Sequence, residues 1–299
     1  MSFQRSGVLV LAGATASGKT QLAIDLAKKF DAEIVNADSR QIYAGMDIGT
    51  AAPTLAQVQE VRHHLVGFLA PDETYSAARF VIDAHAAIDT IHQRGKRAIV
   101  VGGTGFYIRA LCGDMRLAPE HDEVIRARIR HESTLHEPEF LHGWLTTRDP
   151  QRAALISQSD AYRIGRALEI ALSPASPQER TLPTLRQQNI AFVKIVLDVE
   201  TSELDARIAK RTDAMLAAGF VEEAERIGAG VPAANAVGYP QALAYLMGAA
   251  TYDELRQHLL RATRRYARRQ RTWFRSEPYA LWIKSGDVEA AAREFLGWT

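Results

Sequence analysis

The chain has 299 residues, 47% of them hydrophobic and 24% charged, with a formal net charge of +1. These are the proportions of an ordinary soluble globular protein, long enough for one large domain or a domain carrying an insertion. Its single cysteine, Cys112, excludes an intramolecular disulfide framework and fits a reducing cytosol. No run of about 18 apolar residues is present to span a membrane, and Met1-Ser2-Phe3-Gln4-Arg5 is too short and polar for a signal peptide.

The first predicted strand is the apolar run Val8 to Leu11. It leads into Gly13-Ala14-Thr15-Ala16-Ser17-Gly18-Lys19-Thr20 and then a helical pattern through Leu22, Ala23, Leu26 and Ala27. Strand, glycine loop and helix is the setting of a phosphate-binding P-loop. Gly13 and Gly18 permit the tight turn that aims successive amides into one nest, and the helix adds its free N–H groups and positive dipole end. Lys19 reaches the terminal phosphates, and the Thr20 hydroxyl suits Mg2+. The motif predicts a di- or triphosphate without saying which.

A second strand at Ile34-Val35 ends at Asp38-Ser39-Arg40-Gln41. A helix over Ser76 to Gln93 and a turn at Arg94-Gly95-Lys96 precede a third strand, Ala98 to Val101, which runs into Gly102-Gly103-Thr104-Gly105. Phe192 to Leu197 is a fourth and Ala280 to Lys284 a weaker fifth. Strands alternating with helices predict an α/β fold, a parallel sheet flanked by helices. Ligands of such sheets sit beyond the carboxyl ends of the strands, so the three loops are expected to line one site.

Between the third and fourth strands the texture changes. Helical patterns over Glu123 to Arg130 and Ala161 to Leu172 alternate with turn signals at Glu137-Pro138 and Asp149-Pro150, and no strand is evident. An all-helical insertion domain over 116–187 is expected, with core domain segments 1–115 and 188–299. Its second linker is read at Ser173-Pro174-Ala175-Ser176-Pro177. His121, His131, His136 and His142 fall here but fit no zinc spacing and are read as solvated or capping groups.

After the fourth strand, the helix Leu204 to Ala218 carries Arg207 and Arg211 one turn apart. The segment Arg256 to Arg275 then holds eight arginines and no acid. On a helical wheel Leu255, Leu259, Ala262, Tyr266, Gln270 and Trp273 share one stripe. Arg261, Arg264, Arg265, Arg268, Arg271 and Arg275 cluster opposite. A basic face unrelieved by acid favours a phosphate-rich polymer as partner.

Three readings accommodate a P-loop, an acid at the second strand end and a basic helix. A small-metabolite kinase would use Asp38 toward Mg2+ and leave the arginine helix idle. A nucleotide-gated RNA-binding module would bind RNA without changing it. The third is an enzyme acting on RNA. The sequence resembles the tRNA dimethylallyltransferases, also called isopentenyltransferases, in the blocks Gly13–Thr20, Asp38–Pro53 (DSRQIYAGMDIGTAAP), His63-His64-Leu65, Tyr75-Ser76, Val101–Tyr107 (VGGTGFY), Arg163–Glu169 (RIGRALE), Gly238-Tyr239-Pro240-Gln241 and Tyr266–Arg275 (YARRQRTWFR). Ala14 stands where that family usually has proline. The chain ends at Thr299 without the zinc finger of eukaryotic members, so a bacterial form is expected.

The resemblance implies a P-loop, nucleoside-kinase-like core and transfer of a dimethylallyl group from dimethylallyl diphosphate to N6 of adenosine 37, beside the anticodon of tRNAs reading codons that begin with U. Asp38 would accept the N6 proton. Gly13, Ala14, Thr15, Ala16, Ser17, Gly18, Lys19 and Thr20, with Mg2+ on Thr20 and a clamp from Arg207, would hold the diphosphate. Thr104 would orient the amine or the diphosphate, although its hydroxyl serves equally well to cap the helix near Phe106. Ser39, Arg40 and Gln41 would read the flipped base. Arg126, Tyr162, Arg163, Arg166, Gly238, Tyr239, Gln241, Arg264, Arg265 and Arg268 would form the tRNA surface. A cytoplasmic monomer is expected.

Overall fold

A computed structural model of the chain describes residues 7–115, 117, 122–173 and 182–299. It divides into two compact units, Met1–Met115 with Leu182–Thr299, and Arg116–Thr181. The first unit is built on six parallel strands: β1 (Val8–Ala12), β2 (Ala32–Asn36), β3 (His63–His64), β4 (Arg97–Gly102), β5 (Phe192–Leu197) and β6 (Ala280–Ile283). Their order across the sheet is β3-β2-β4-β1-β5-β6. Leu9 of β1 registers with Ile99 of β4 on one side and Val193 of β5 on the other. All five β1 residues are buried, which is why that strand reads as an unbroken apolar run rather than an alternating one.

Before the insertion this unit carries α1 (Lys19–Lys29), α2 (Asp47–Thr50), α3 (Leu55–Glu60), α4 (Ala77–Gln93) and α5 (Gly105–Cys112). The other unit holds α6 (Glu123–Leu135), α7 (Pro138–Arg148), α8 (Pro150–Ala153) and α9 (Ala161–Leu172). The first unit resumes with α10 (Thr201–Ala217), α11 (Phe220–Ile227), α12 (Tyr239–Leu246), α13 (Tyr252–Arg275) and α14 (Val288–Leu296). Helix α1 buries Ala23, Ile24, Leu26 and Ala27 in a core shared with β1, β4 and α14. There Phe30 meets Trp298 edge-on, with ring centroids 5.3 Å apart. A second core gathers Ile42, Met46, Phe220, Tyr239, Leu255 and Leu259. The helical unit has its own, around Ile129, Leu141, Leu145, Ile164 and Leu168.

The expected five strands form, and β3 adds a sixth, pairing Ile34 with His63 and Val35 with His64 at the sheet edge. Two residues are too few for a periodic signal. Residues 182–187, assigned to the insertion by composition, pack with the sheet unit: Leu185 is fully buried and its N–H donates to the Leu111 carbonyl at 2.8 Å. Pro138 and Pro150, read as turn signals, are the first residues of α7 and α8, where a missing N–H costs nothing. Among the expected histidines, His142 Nε2 contacts the carbonyls of Ala153 and Ile156, and His136 stacks on Phe140. His121 and the linker residues 174–177 lie outside the described residues.

Candidate active site

The loop after β1 turns through left-handed conformations at Ala16 (φ 64°) and Gly18 (φ 90°). Alternation of this kind is what gathers amides into a concave nest. Gly13 is crowded: a Cβ there would stand 2.8 Å from Ser17 Oγ, so that hydroxyl would have to shift. Ala14 is buried against Leu204, Ile208 and Ala267, and its carbonyl accepts from Lys19 Nζ at 3.2 Å. Thr15, Ala16, Gly18, Lys19 and Thr20 face a cavity of about 700 Å3, while Ser17 Oγ is buried without a partner. A volume of this size suits a small-molecule ligand.

Asp38, Ser39, Arg40 and Gln41, beyond the end of β2, form a second wall of the same cavity. Asp38 Oδ1 accepts from the Arg40 N–H at 2.9 Å, which leaves its other carboxylate oxygen for a ligand. Gln41 Nε2 donates to the carbonyls of Thr50 and Ala51, and Arg40 to that of Pro232. Thr104 occupies the position before α5 but makes no side-chain cap. Its hydroxyl accepts from the Ser39 N–H at 2.9 Å and donates to Ser39 Oγ at 3.2 Å. Thr104 therefore stands behind Ser39 and orders the second wall, and the capping role drops out.

Helix α10 supplies the third wall. Arg207 donates to the Ser17 carbonyl at 3.0 Å and pairs with Glu203. Arg211, one turn on, donates to Thr15 Oγ1 at 2.9 Å. The sequence had shown the two arginines on one face and assigned a role only to the first, yet both line the cavity. Burial pulls Lys19 down to about 8; Asp38 opposes that fall and Arg211 adds to it. Burial also lowers Arg211, again against the pull of Asp38. Five cations, Lys19, Arg40, Arg207, Arg211 and Arg269, and one carboxylate, Asp38, thus face a single chamber.

The titration of Lys19 has a measurable consequence. Below about pH 8 the ammonium is charged, and above it an anion must bring back the missing proton. The affinity advantage of the native chain over Lys19→Met for pyrophosphate should be flat below about pH 8. Above that it should shrink by up to about tenfold per pH unit. Calorimetry across this range checks it, and comparison with the variant cancels the titration of pyrophosphate itself.

Helix α13 closes the cavity. Thr251 and Glu254 cap its start reciprocally, and Leu255, Leu259, Ala267, Gln270 and Phe274 are buried. The expected stripe is therefore rotated toward Ala267 and Phe274, which leaves Tyr266 on the cavity wall beside Arg269. The rotation also brings two arginines of the basic face close to protein: Arg264 lies 3.5 Å from Asp205 and Arg271 donates to Thr201 Oγ1. Arg261, Arg265, Arg268, Arg269 and Arg275 remain exposed. Gln270, placed on the stripe as packing, makes two polar contacts: Oε1 accepts from the Thr15 N–H at 2.8 Å, and Nε2 donates to the Gly103 carbonyl at 2.9 Å.

Of the Gly238–Gln241 block, Gly238 lines the cavity and Gln241 Oε1 accepts from its N–H. Tyr239, expected on an RNA surface, is fully buried. It stacks edge-on with Phe220, and its hydroxyl donates to Glu223, which also accepts from the N–H groups of Ile48 and Gly49. Its role is to hold the segment after Asp38–Gln41. In the helical unit Tyr162 and Arg163 are exposed, Arg126 pairs with Glu123 and Arg166 with Glu169.

Comparison with known proteins adds a family. The profile described as IPP transferase matches residues 41–277. A tRNA dimethylallyltransferase of Geobacter sulfurreducens is 40% identical over 304 residues, covering 98% of both chains. Among solved structures, the full-length tRNA isopentenylpyrophosphate transferase of Bacillus halodurans is 32% identical with a TM-score of 0.71, over 98% of this chain and 97% of its own. A eukaryotic dimethylallyltransferase described acting on tRNA is 25% identical with a TM-score of 0.73, over 96% of this chain and 77% of its own.

Proposed function

The chain belongs to the IPP transferase family, and from that premise we propose that it transfers a dimethylallyl group from dimethylallyl diphosphate to N6 of adenosine 37 in the anticodon loop of tRNAs that read codons beginning with U. One observation carries the reading: a phosphate loop with Lys19, Arg207 and Arg211 shares a single cavity with Asp38, under a helix whose outer face is basic. The diphosphate lies against residues 13–20, and the adenine edge against Asp38, Ser39, Arg40 and Gln41. A base in a loop reaches such a cavity by leaving its stack.

In the reaction the N6 nitrogen forms a bond to C1 of the donor as the C1–O bond breaks. Asp38 takes the N6 proton, and diphosphate leaves with the electron pair of that bond. The lone pair of N6 is delocalised into the ring, so removal of its proton as the bond forms is where a carboxylate helps most. Negative charge builds on oxygens that Lys19, Arg207, Arg211 and the loop amides surround, and fixed donors stabilise it without rearranging.

Magnesium suits the donor set. The Thr20 hydroxyl lies in the first turn of α1 at the cavity, and Mg2+ binds through few protein oxygens together with waters and substrate phosphates. Among the described residues no group of three or more His, Cys, Asp or Glu forms a protein-only cage. When bound, the ion would neutralise charge on the leaving group.

Incubation with radiolabelled dimethylallyl diphosphate, Mg2+ and unmodified tRNA should place label in an N6-modified adenosine after nuclease digestion. Label confined to the donor, with ATP consumed on a small metabolite instead, would return the kinase reading. The RNA face has its own test. Charge-neutralising substitutions at the exposed Arg265 and Arg268 should lower the log–log salt slope of tRNA binding by about 0.7–0.9 per lost contact, without loss of fold. Arg264, engaged with Asp205, should contribute less. An unchanged slope would show that this face does not meet RNA.

A further inference from the structure

Gln270 is 6% exposed, and its two hydrogen bonds allow one amide orientation. A backbone N–H can only donate and a carbonyl can only accept, so Oε1 must face Thr15 and Nε2 must face Gly103. The fit is close: a Cβ on Gly103 would stand 2.4 Å from Nε2. One side chain of α13 therefore ties the phosphate loop to the loop beyond β4. It fixes the amide of Thr15, whose hydroxyl is held by Arg211. Arg265 and Arg268 stand exposed on the far side of the same helix. A polyanion resting on them bears on the helix that sets the loop.

We propose that Gln270 is a positioning residue that holds the phosphate loop in its anion-binding form and couples occupancy of the basic face of α13 by tRNA to affinity for diphosphate in the cavity. The inference rests on the function proposed above. It assigns to Gln270 no contact with the reacting atoms. Because coupling is reciprocal, diphosphate must tighten tRNA by the same factor by which tRNA tightens diphosphate.

The test is calorimetric titration of the full chain with Mg2+-pyrophosphate, with and without saturating unmodified tRNA, for the native chain and for Gln270→Met. In the native chain tRNA should tighten pyrophosphate by about fivefold or more. In Gln270→Met, pyrophosphate should bind about three- to tenfold more weakly, the worth of one positioned hydrogen bond, and the effect of tRNA should vanish. The affinity of the variant for tRNA alone should stay within about twofold of native, a split that general loosening of the fold would not give.

Gly103→Ala reaches the same contact from the other side. Gly103 is outside the left-handed region, so the added methyl meets chiefly the Gln270 amide. It should reproduce the phenotype, and the double variant should bind no more weakly than either single one, because both break the same link. This keeps the test valid should Gln270→Met fail to fold. Failure of the native chain to bind pyrophosphate would remove the diphosphate reading and the inference with it. Native binding that ignores tRNA, or variants that keep the native affinity and coupling, would overturn the inference alone.

Discussion

Asp38→Asn is expected to slow dimethylallyl transfer in a single turnover by about 10²–10⁴-fold, the usual contribution of a general base. The substitution isolates proton transfer because little else changes. Asparagine can still present an oxygen to the Arg40 N–H that Asp38 Oδ1 now accepts, so the side chain keeps its place in the cavity wall. It still offers an acceptor to the adenine edge, so tRNA affinity should fall little. A second outcome distinguishes the kinase-like alternative: were Asp38 chiefly a Mg2+ ligand, excess Mg2+ would restore much of the rate. A native single-turnover rate in the variant, or full recovery with Mg2+, would remove Asp38 as the base.

Lys19→Ala should reduce turnover by about 10²-fold or more while leaving tRNA affinity nearly native. Lys19 begins α1 on the cavity wall, its ammonium donating to the Ala14 carbonyl, on a different element from the exposed arginines of α13. Its effect on stability should run the other way. Burial holds the folded-state value of Lys19 at about 8, below its ordinary 10.5. The unfolded chain therefore binds that proton more tightly, and the buried charge costs stability that returns as pH rises from about 8 toward 10.5. Thermal unfolding near neutral pH should show the variant no less stable than the native chain. A near-native rate at saturating donor would instead detach Lys19 from the diphosphate.

The parts legible in the sequence were those written in local pattern. Apolar runs marked β1, β2, β4 and β5, and the glycines with Lys19 marked the loop, because strand burial and tight turning constrain neighbouring residues. Asp38 was legible as the acid just beyond a strand end. What escaped depended on how an element is rotated or what lies over it. Gln270 was visible as a stripe residue, but its partners are a backbone amide and a carbonyl, which no side-chain pattern announces. The wheel of α13 gives the right two faces with the centre displaced, so by pattern alone Tyr266 reads as packing and Arg264 as an outward cation. Tyr239 fell in a block expected at an RNA surface, and only the packing of Phe220 and Glu223 around it reveals a buried role.

The closing of the cavity by α13 also sets when the site can exist during synthesis. The Thr15–Gln270 bond joins residues 255 positions apart. At roughly 5–20 residues per second, a ribosome takes tens of seconds to make that span. The helical unit, with its own core, is complete well before then. The phosphate loop, translated long before α13, lacks the protein partner of its Thr15 amide until Gln270 is made. A nascent chain stalled before residue 252 should therefore carry a folded helical unit and an unclosed cavity, because α13 is not yet made.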